Sequence, residues 1–172
     1  MIGYPKYKKV LFCTDFSENA DYAFGFAFGV AKRDGGLLYI LHVTTDSADQ
    51  AVVEGTVAGS YPEMAEAIRE TTQRELNDTL QERYAKKIEG ELFEIVTKSG
   101  RAYQEIIGFA EEKDVDLIVM GTHGRTGVKH TLFGSVAEMV TRHSPIPVFV
   151  IPSEGRAWPL HLDENPSSHT PM

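Results

Sequence analysis

Residues 121–135, GTHGRTGVKHTLFGS in one-letter code, bring together glycines, a serine and the cations Arg125 and Lys129. Those residue types at a strand-to-helix turn are suited to holding an anion. Glycine lets backbone approach a ligand closely, and a helix start offers unpaired N–H groups and a favourable dipole. The surrounding pattern supplies that context. The apolar run 117–120 precedes the stretch, and Leu132, Phe133, Val136, Ala137 and Val140 recur after it at helical spacing. Two common phosphate loops are excluded by the spacing. A Walker A loop needs four residues between its glycines and then Gly-Lys-Ser/Thr, whereas five residues separate Gly121 from Gly127 and Val128 precedes Lys129. The dinucleotide fingerprint G-x-G-x-x-G is absent as well, because Gly121, Gly124 and Gly127 stand three apart.

The elements that must position this loop follow from the apolar pattern. Five short apolar runs, at 10–13, 37–43, 92–97, 117–120 and 148–151, alternate with four helix-like segments. That alternation predicts an α/β fold with a mainly parallel sheet and helices on both faces. Ala20, Ala23, Phe24, Ala27, Phe28 and Ala31 mark the first helix, which Gly35 and Gly36 should stop. A capping-box arrangement at residues 60–63 predicts the start of the second, with an inner face at Met64, Ile68, Leu76, Leu80, Tyr84 and Ile88. The third, near 102–112, should bury Ile106, Ile107 and Ala110, and the fourth should end before Pro145. Residues 44–59 read as a long loop and 153–172 as a flexible tail, giving one domain over 1–152. Trp158 and Leu160 could dock the tail on a neighbouring surface, although an undocked end is the favoured reading.

What remains of the glycine pattern, Gly121-x-x-Gly124, nine residues, then Gly134-Ser135, resembles the ATP-binding signature of the universal stress protein family. The resemblance covers residues 6–152. It implies a Rossmann-like sheet of the adenine nucleotide alpha hydrolase kind with strand order 3-2-1-4-5, whose switch point lies between strands one and four. By matching position it assigns Thr14, Asp15 and Val43 to the adenosine pocket. Met120, Gly121, His123, Gly124, Gly134, Ser135 and Val136 then belong to the ribose and phosphate side, with Arg125 adding charge. Cys13 departs from the pattern, since many members carry proline or another small residue there. Asp15 has a second reading, as an N-cap or Asx turn ahead of the helix after Ser17, and the two roles coexist.

The ligand implied is ATP, with ADP or AMP as alternatives. Mg²⁺ would be carried by the phosphates with no assigned protein ligand, although the Ser135 hydroxyl could join it. No residue obviously positions a water for in-line attack, so nucleotide retention with slow hydrolysis at most is expected. The function so implied is a nucleotide-gated stress-response or signalling module. A true nucleotide hydrolase and an interaction module that binds no nucleotide stay open. The edge strand Val148–Ile151, flanked by Pro145, Pro147 and Pro152, is expected to pair two chains, as family members commonly do.

Composition narrows the remaining classes. The chain has 172 residues, 42% of them apolar and 24% charged, with a formal net charge of −8. An acidic chain has no general attraction for a nucleic-acid backbone, so nucleic acid is not an expected partner. Cys13 is the sole cysteine, which excludes an internal disulfide and fits a reducing cytoplasm. The mostly polar first nine residues do not read as a secretory leader, and no apolar run is long enough to enter a membrane. Six scattered histidines, His42, His123, His130, His143, His161 and His169, show no metal-ligand spacing. A triad of Ser135, His123 and Asp15 lacks the nucleophile-elbow context.

Overall fold

The first strand, β1 (Lys9–Thr14), carries Val10 and Phe12 toward one face and Leu11 and Cys13 toward the other, all of them buried. A strand apolar on both faces must lie in the middle of a sheet covered twice, and β1 does. The computed structural model describes residues 4–44, 61–122 and 134–153. Within them the order is β1, α1 (Glu18–Asp34), β2 (Leu37–Thr44), α2 (Pro62–Arg83), a 3₁₀ turn (Ala85–Ile88), β3 (Phe93–Ser99), α3 (Ala102–Glu112), β4 (Leu117–Gly121), α4 (Ser135–His143) and β5 (Val148–Ile151). The five strands form one all-parallel sheet in the order β3-β2-β1-β4-β5. This is the architecture and strand order expected from the sequence.

The two faces have separate cores. α1 and the end of α2 cover Val10, Phe12, Leu38, Ile40, Leu117 and Val119. On the opposite face α3 and α4 cover Leu11, Tyr39, Leu41, Ile118 and Met120. Because β1 connects to β2 on one side and is flanked by β4 on the other, the crevice outside the carboxyl ends of β1 and β4 is the topological switch point.

Local signals fix the ends of α1. Ser17 is the N-cap, its Oγ accepting from Ala20 N at 3.2 Å, and Glu18 and Asp21 complement the helix dipole. At the other end Gly35 adopts a left-handed φ of 60°, and Gly36 N donates to Ala31 O at 2.8 Å. At the amino ends of β1 and β4 the chain is pinned by Asp116, whose Oδ2 accepts from Lys8 N at 2.7 Å and Lys9 N at 2.8 Å.

α2 departs from the sequence reading. Pro62 occupies the first helical turn, so Tyr61 becomes the N-cap without any side-chain capping bond, and Ser60 lies outside the described residues. Of the expected inner face, Leu80, Tyr84 and Ile88 are buried and Leu76 is half-buried. Met64 and Ile68 are 57% and 47% exposed. Two reasons combine: at 3.6 residues per turn the i, i+4 row drifts, leaving Met64 and Ile68 about 160° and about 120° around the helix from Leu80, and the helix outruns the sheet. The 22 residues of α2 span about 33 Å, while the seven of β3 span about 23 Å, so the sheet cannot cover the whole helix. Its N-terminal turns rise past the carboxyl ends of the strands. Smaller shifts occur elsewhere: β3 begins at Phe93 with Leu92 exposed, and α3 buries Phe109 more deeply than Ile107.

Candidate functional site

The chain leaves β1 through a turn that would not form without support. Phe16 has φ 65°, a left-handed conformation unfavourable for a bulky side chain. Thr14 secures the turn from within. Its Oγ1 accepts from Phe16 N at 3.0 Å and lies 2.7 Å from the Tyr84 hydroxyl, while its carbonyl oxygen lies 2.8 Å from His42 Nδ1. Asp15 Oδ1 accepts from Ser17 N at 3.1 Å, which is the Asx turn given as its second reading. The Phe16 ring contacts His42, centroids 4.4 Å apart, and the Arg83 guanidinium stands 6.0 Å from its centre.

Behind that turn lies a charged pair. Arg83 grips Asp21 through Nε at 2.8 Å and Nη2 at 2.5 Å, and Tyr84 donates to Asp21 Oδ1 at 2.7 Å. Burial pushes the Asp21 carboxyl up. The hydrogen bonds from Arg83 and Tyr84, with the Arg83 charge, outweigh it and hold the group below the usual carboxylate range. Burial likewise raises the Tyr84 phenol and the Cys13 thiol, so both stay protonated at neutral pH. A neutral, buried thiol is no nucleophile.

A second junction ties α1 to β4. Asn19, buried in the first turn of α1, donates from Nδ2 to Thr122 Oγ1 at 3.4 Å. Gly121 makes this approach possible, because a Cβ there would stand 2.5 Å from Asn19 Nδ2. The glycine is thus explained by a neighbouring side chain. Its φ lies outside the left-handed region, so the close approach of Asn19 is what the missing Cβ serves within the fold. Thr122 then closes the base of the glycine-rich stretch, its carbonyl accepting from Gly134 N at 2.6 Å. Gly134 is the N-cap of α4 and brings no side chain to the cap, so among the described residues no side chain caps the first turn at Ser135.

Between these junctions opens a cleft of about 620 Å³. Thr14, Asp15, Val43, Met120, Gly121, Gly134, Ser135 and Val136, all expected from the sequence, line it together. His123, Gly124 and Arg125 lie outside the described residues. Thr14 faces the cleft with its hydroxyl engaged by Tyr84 and Phe16. Among the wall residues that the sequence did not assign to the site are Thr72 and Leu76 of α2, and Ala102 and Ile106 of α3. Thr72 and Leu76 were hidden by the assumption that the α2 stripe packs on the sheet. Asn19 was missed too, and its only signal was a polar residue beside the apolar positions of α1. No group of three or more His, Cys, Asp or Glu arranged to hold a metal occurs among the described residues.

Comparison with known proteins places this cleft in a lineage. The model of the universal stress protein family matches residues 6–152. The chain belongs to the universal stress protein family. Universal stress protein MJ0531 of Methanocaldococcus jannaschii is 36% identical over 148 residues, which cover 84% of this chain and 82% of that protein. Universal stress protein MJ0577 of the same organism is 34% identical over 156 residues, covering 84% and 94%. Its solved structure superposes with a TM-score of 0.67 over 86% of this chain and 97% of that one, at 29% identity. A solved universal stress protein in complex with cAMP shares the fold, with a TM-score of 0.56 at 24% identity, over 86% of this chain and 98% of that one.

Proposed function

We propose that the cleft binds an adenine nucleotide, ATP first with ADP or AMP as alternatives, and that the protein is a nucleotide-gated stress-response or signalling module. The observation that carries this reading is convergence. Eight residues from the ends of three strands and the start of α4 line one cleft at the switch point, where α/β sheets take their ligands. Val43, Met120 and Val136 offer apolar surface for a base, and Asp15 brings acceptor oxygens for ribose hydroxyls or adenine donors. The uncapped first turn of α4 suits phosphate, with His123, Gly124 and Arg125 assigned to the same side by motif position. Mg²⁺ carried by the phosphates would offset their charge, and Ser135 offers a hydroxyl on that side by motif position.

Turnover on this reading is slow at most. The titratable side chains lining the cleft among the described residues are Cys13, Asp15 and His42. Burial keeps the thiol protonated, Asp15 accepts from Ser17 N, and His42 Nδ1 engages the Thr14 carbonyl. The first is thus unreactive, and the other two are occupied in shaping the turn. The reading extends to a cytoplasmic protein with its domain over 1–152, a tail over 153–172, and a homodimer paired through Val148–Ile151. That strand forms one edge of the sheet and leaves Phe149 40% exposed, and sedimentation of the purified protein measures the association. The reading includes neither a membrane nor nucleic acid as partner, and no described helix is long and apolar enough to cross a bilayer.

The deciding experiment is to denature purified protein and identify what it releases by chromatography and mass spectrometry, alongside calorimetric titration with ATP and Mg²⁺. An adenine nucleotide in the supernatant, or a saturable heat at one site per chain, supports the reading. Release of nothing with no heat refutes it.

A further inference from the structure

The hydrogen bonds behind the β1 turn run in one direction. Asp21 is ionised and cannot donate, so the Tyr84 proton must point to it. The Tyr84 oxygen is then left as acceptor for Thr14 Oγ1–H, and Thr14 Oγ1 in turn accepts from Phe16 N. One ordered chain results, Phe16 N–H to Thr14 to Tyr84 to Asp21, anchored by the paired guanidinium of Arg83. Each link polarises the next, and the chain ends on the backbone N–H of the one residue in the turn with left-handed φ. Asp15 lies between the two residues so held.

Tyr84 itself is packed into the core. Its ring is fully buried, in contact with Phe12 and Phe24 at centroid distances of 5.2 Å and 4.9 Å. It stands at the end of α2, where its backbone N–H closes the last turn on Leu80 O at 3.0 Å. A rigid ring whose hydroxyl reaches a strained turn in the ligand cleft does more than fill the core. Tyr84 does not line the cleft, so any effect on a ligand must pass through the turn.

We infer that Tyr84 is a positioning residue for the nucleotide: through Thr14 and the left-handed turn at Phe16, its hydroxyl sets the direction in which Asp15 meets the nucleoside. The inference rests on the nucleotide reading of the cleft. It adds a residue 70 positions from Thr14 to the determinants of affinity.

The test is a double-mutant cycle read by calorimetric titration with ATP and Mg²⁺. Tyr84→Phe removes the hydroxyl and keeps the ring, and Thr14→Val breaks the same chain from its other end. Each should weaken binding about threefold to tenfold, the worth of one hydrogen bond. In an Asp15→Asn background the same substitutions should change affinity by less than about twofold, because their effect is carried by Asp15. Thermal melts confirm that each variant is folded. Equal losses in both backgrounds would show that the hydroxyl only supports the fold, and unchanged affinity in Tyr84→Phe would show that the turn does not need it. Either result overturns the inference while leaving nucleotide binding in place. A wild-type protein that binds no nucleotide overturns both.

Discussion

Replacing Gly121 with alanine tests the junction between α1 and β4 at its tightest point. The new Cβ would lie 2.5 Å from Asn19 Nδ2, 2.9 Å from Asn19 Cγ and 3.3 Å from the Asn19 carbonyl carbon. Favourable contacts between heavy atoms begin near 3.5 Å, so the shortfall at the amide is about 1 Å. Two relaxations exist. Asn19 swings aside and its amide leaves Thr122, or the end of β4 lifts from α1 and strains the Thr122 to Gly134 closure. Overpacking of this kind costs about 1 to 3 kcal/mol, which in a chain of this size lowers Tm by about 2 to 12 °C. Calorimetric melting measures the shift, and urea unfolding at constant m checks that the transition remains two-state. Asn19→Ala removes the atoms that are struck. Combined with Gly121→Ala it should recover at least about 1 kcal/mol relative to the sum of the single changes. A Gly121→Ala protein that melts with the wild type, or two substitutions that simply add, would refute the packing argument.

The remaining predictions concern α2 and the Asp21 carboxylate. Leu80→Ala, at a fully buried position, should cost about 2 to 5 kcal/mol in urea unfolding, and Ile68→Ala, on the turns beyond the sheet, no more than about 0.5 kcal/mol; similar losses would mean that the whole helix is packed. Asp21 is held below the ordinary aspartate value, near 3.9, so its stabilisation is complete above that value and is lost as pH falls through the lower folded one. The Tm gap between wild type and Asp21→Asn should therefore be steady from neutrality to about pH 5 and narrow below about pH 4, and a gap unchanged down to pH 2 contradicts the pairing.

Features governed by local chemistry could be read from the sequence. The Gly35–Gly36 stop of α1 needs only a left-handed residue after the last turn, and the both-faces-buried strands need only unbroken apolar runs. The residues of the cleft were legible for a different reason. A parallel sheet fixes where its ligand end lies, so residues that follow each strand converge there whatever their identity. α2 failed because an i, i+4 row drifts around a helix of 3.6 residues per turn and because the sequence does not show how far the opposing sheet extends. Met64 and Ile68 stand about 160° and about 120° around the helix from Leu80, and Leu80 is the one of the three packed in the core.

The pairs that give the cleft its shape are separated by long stretches of chain: Asp21 and Arg83 by 62 positions, Thr14 and Tyr84 by 70, Asn19 and Thr122 by 103. None is implied by composition or spacing, since any aspartate, tyrosine or asparagine on the surface would read the same. A motif can name the groups that face a ligand because they follow one another along strand ends. Holding those groups at a working geometry falls to residues elsewhere, and a turn with Phe16 at φ 65° cannot persist without them. Relatives that keep the glycine signature and alter Tyr84 or Asn19 should therefore hold the same ligand with altered affinity, a difference that titration of such pairs side by side would expose.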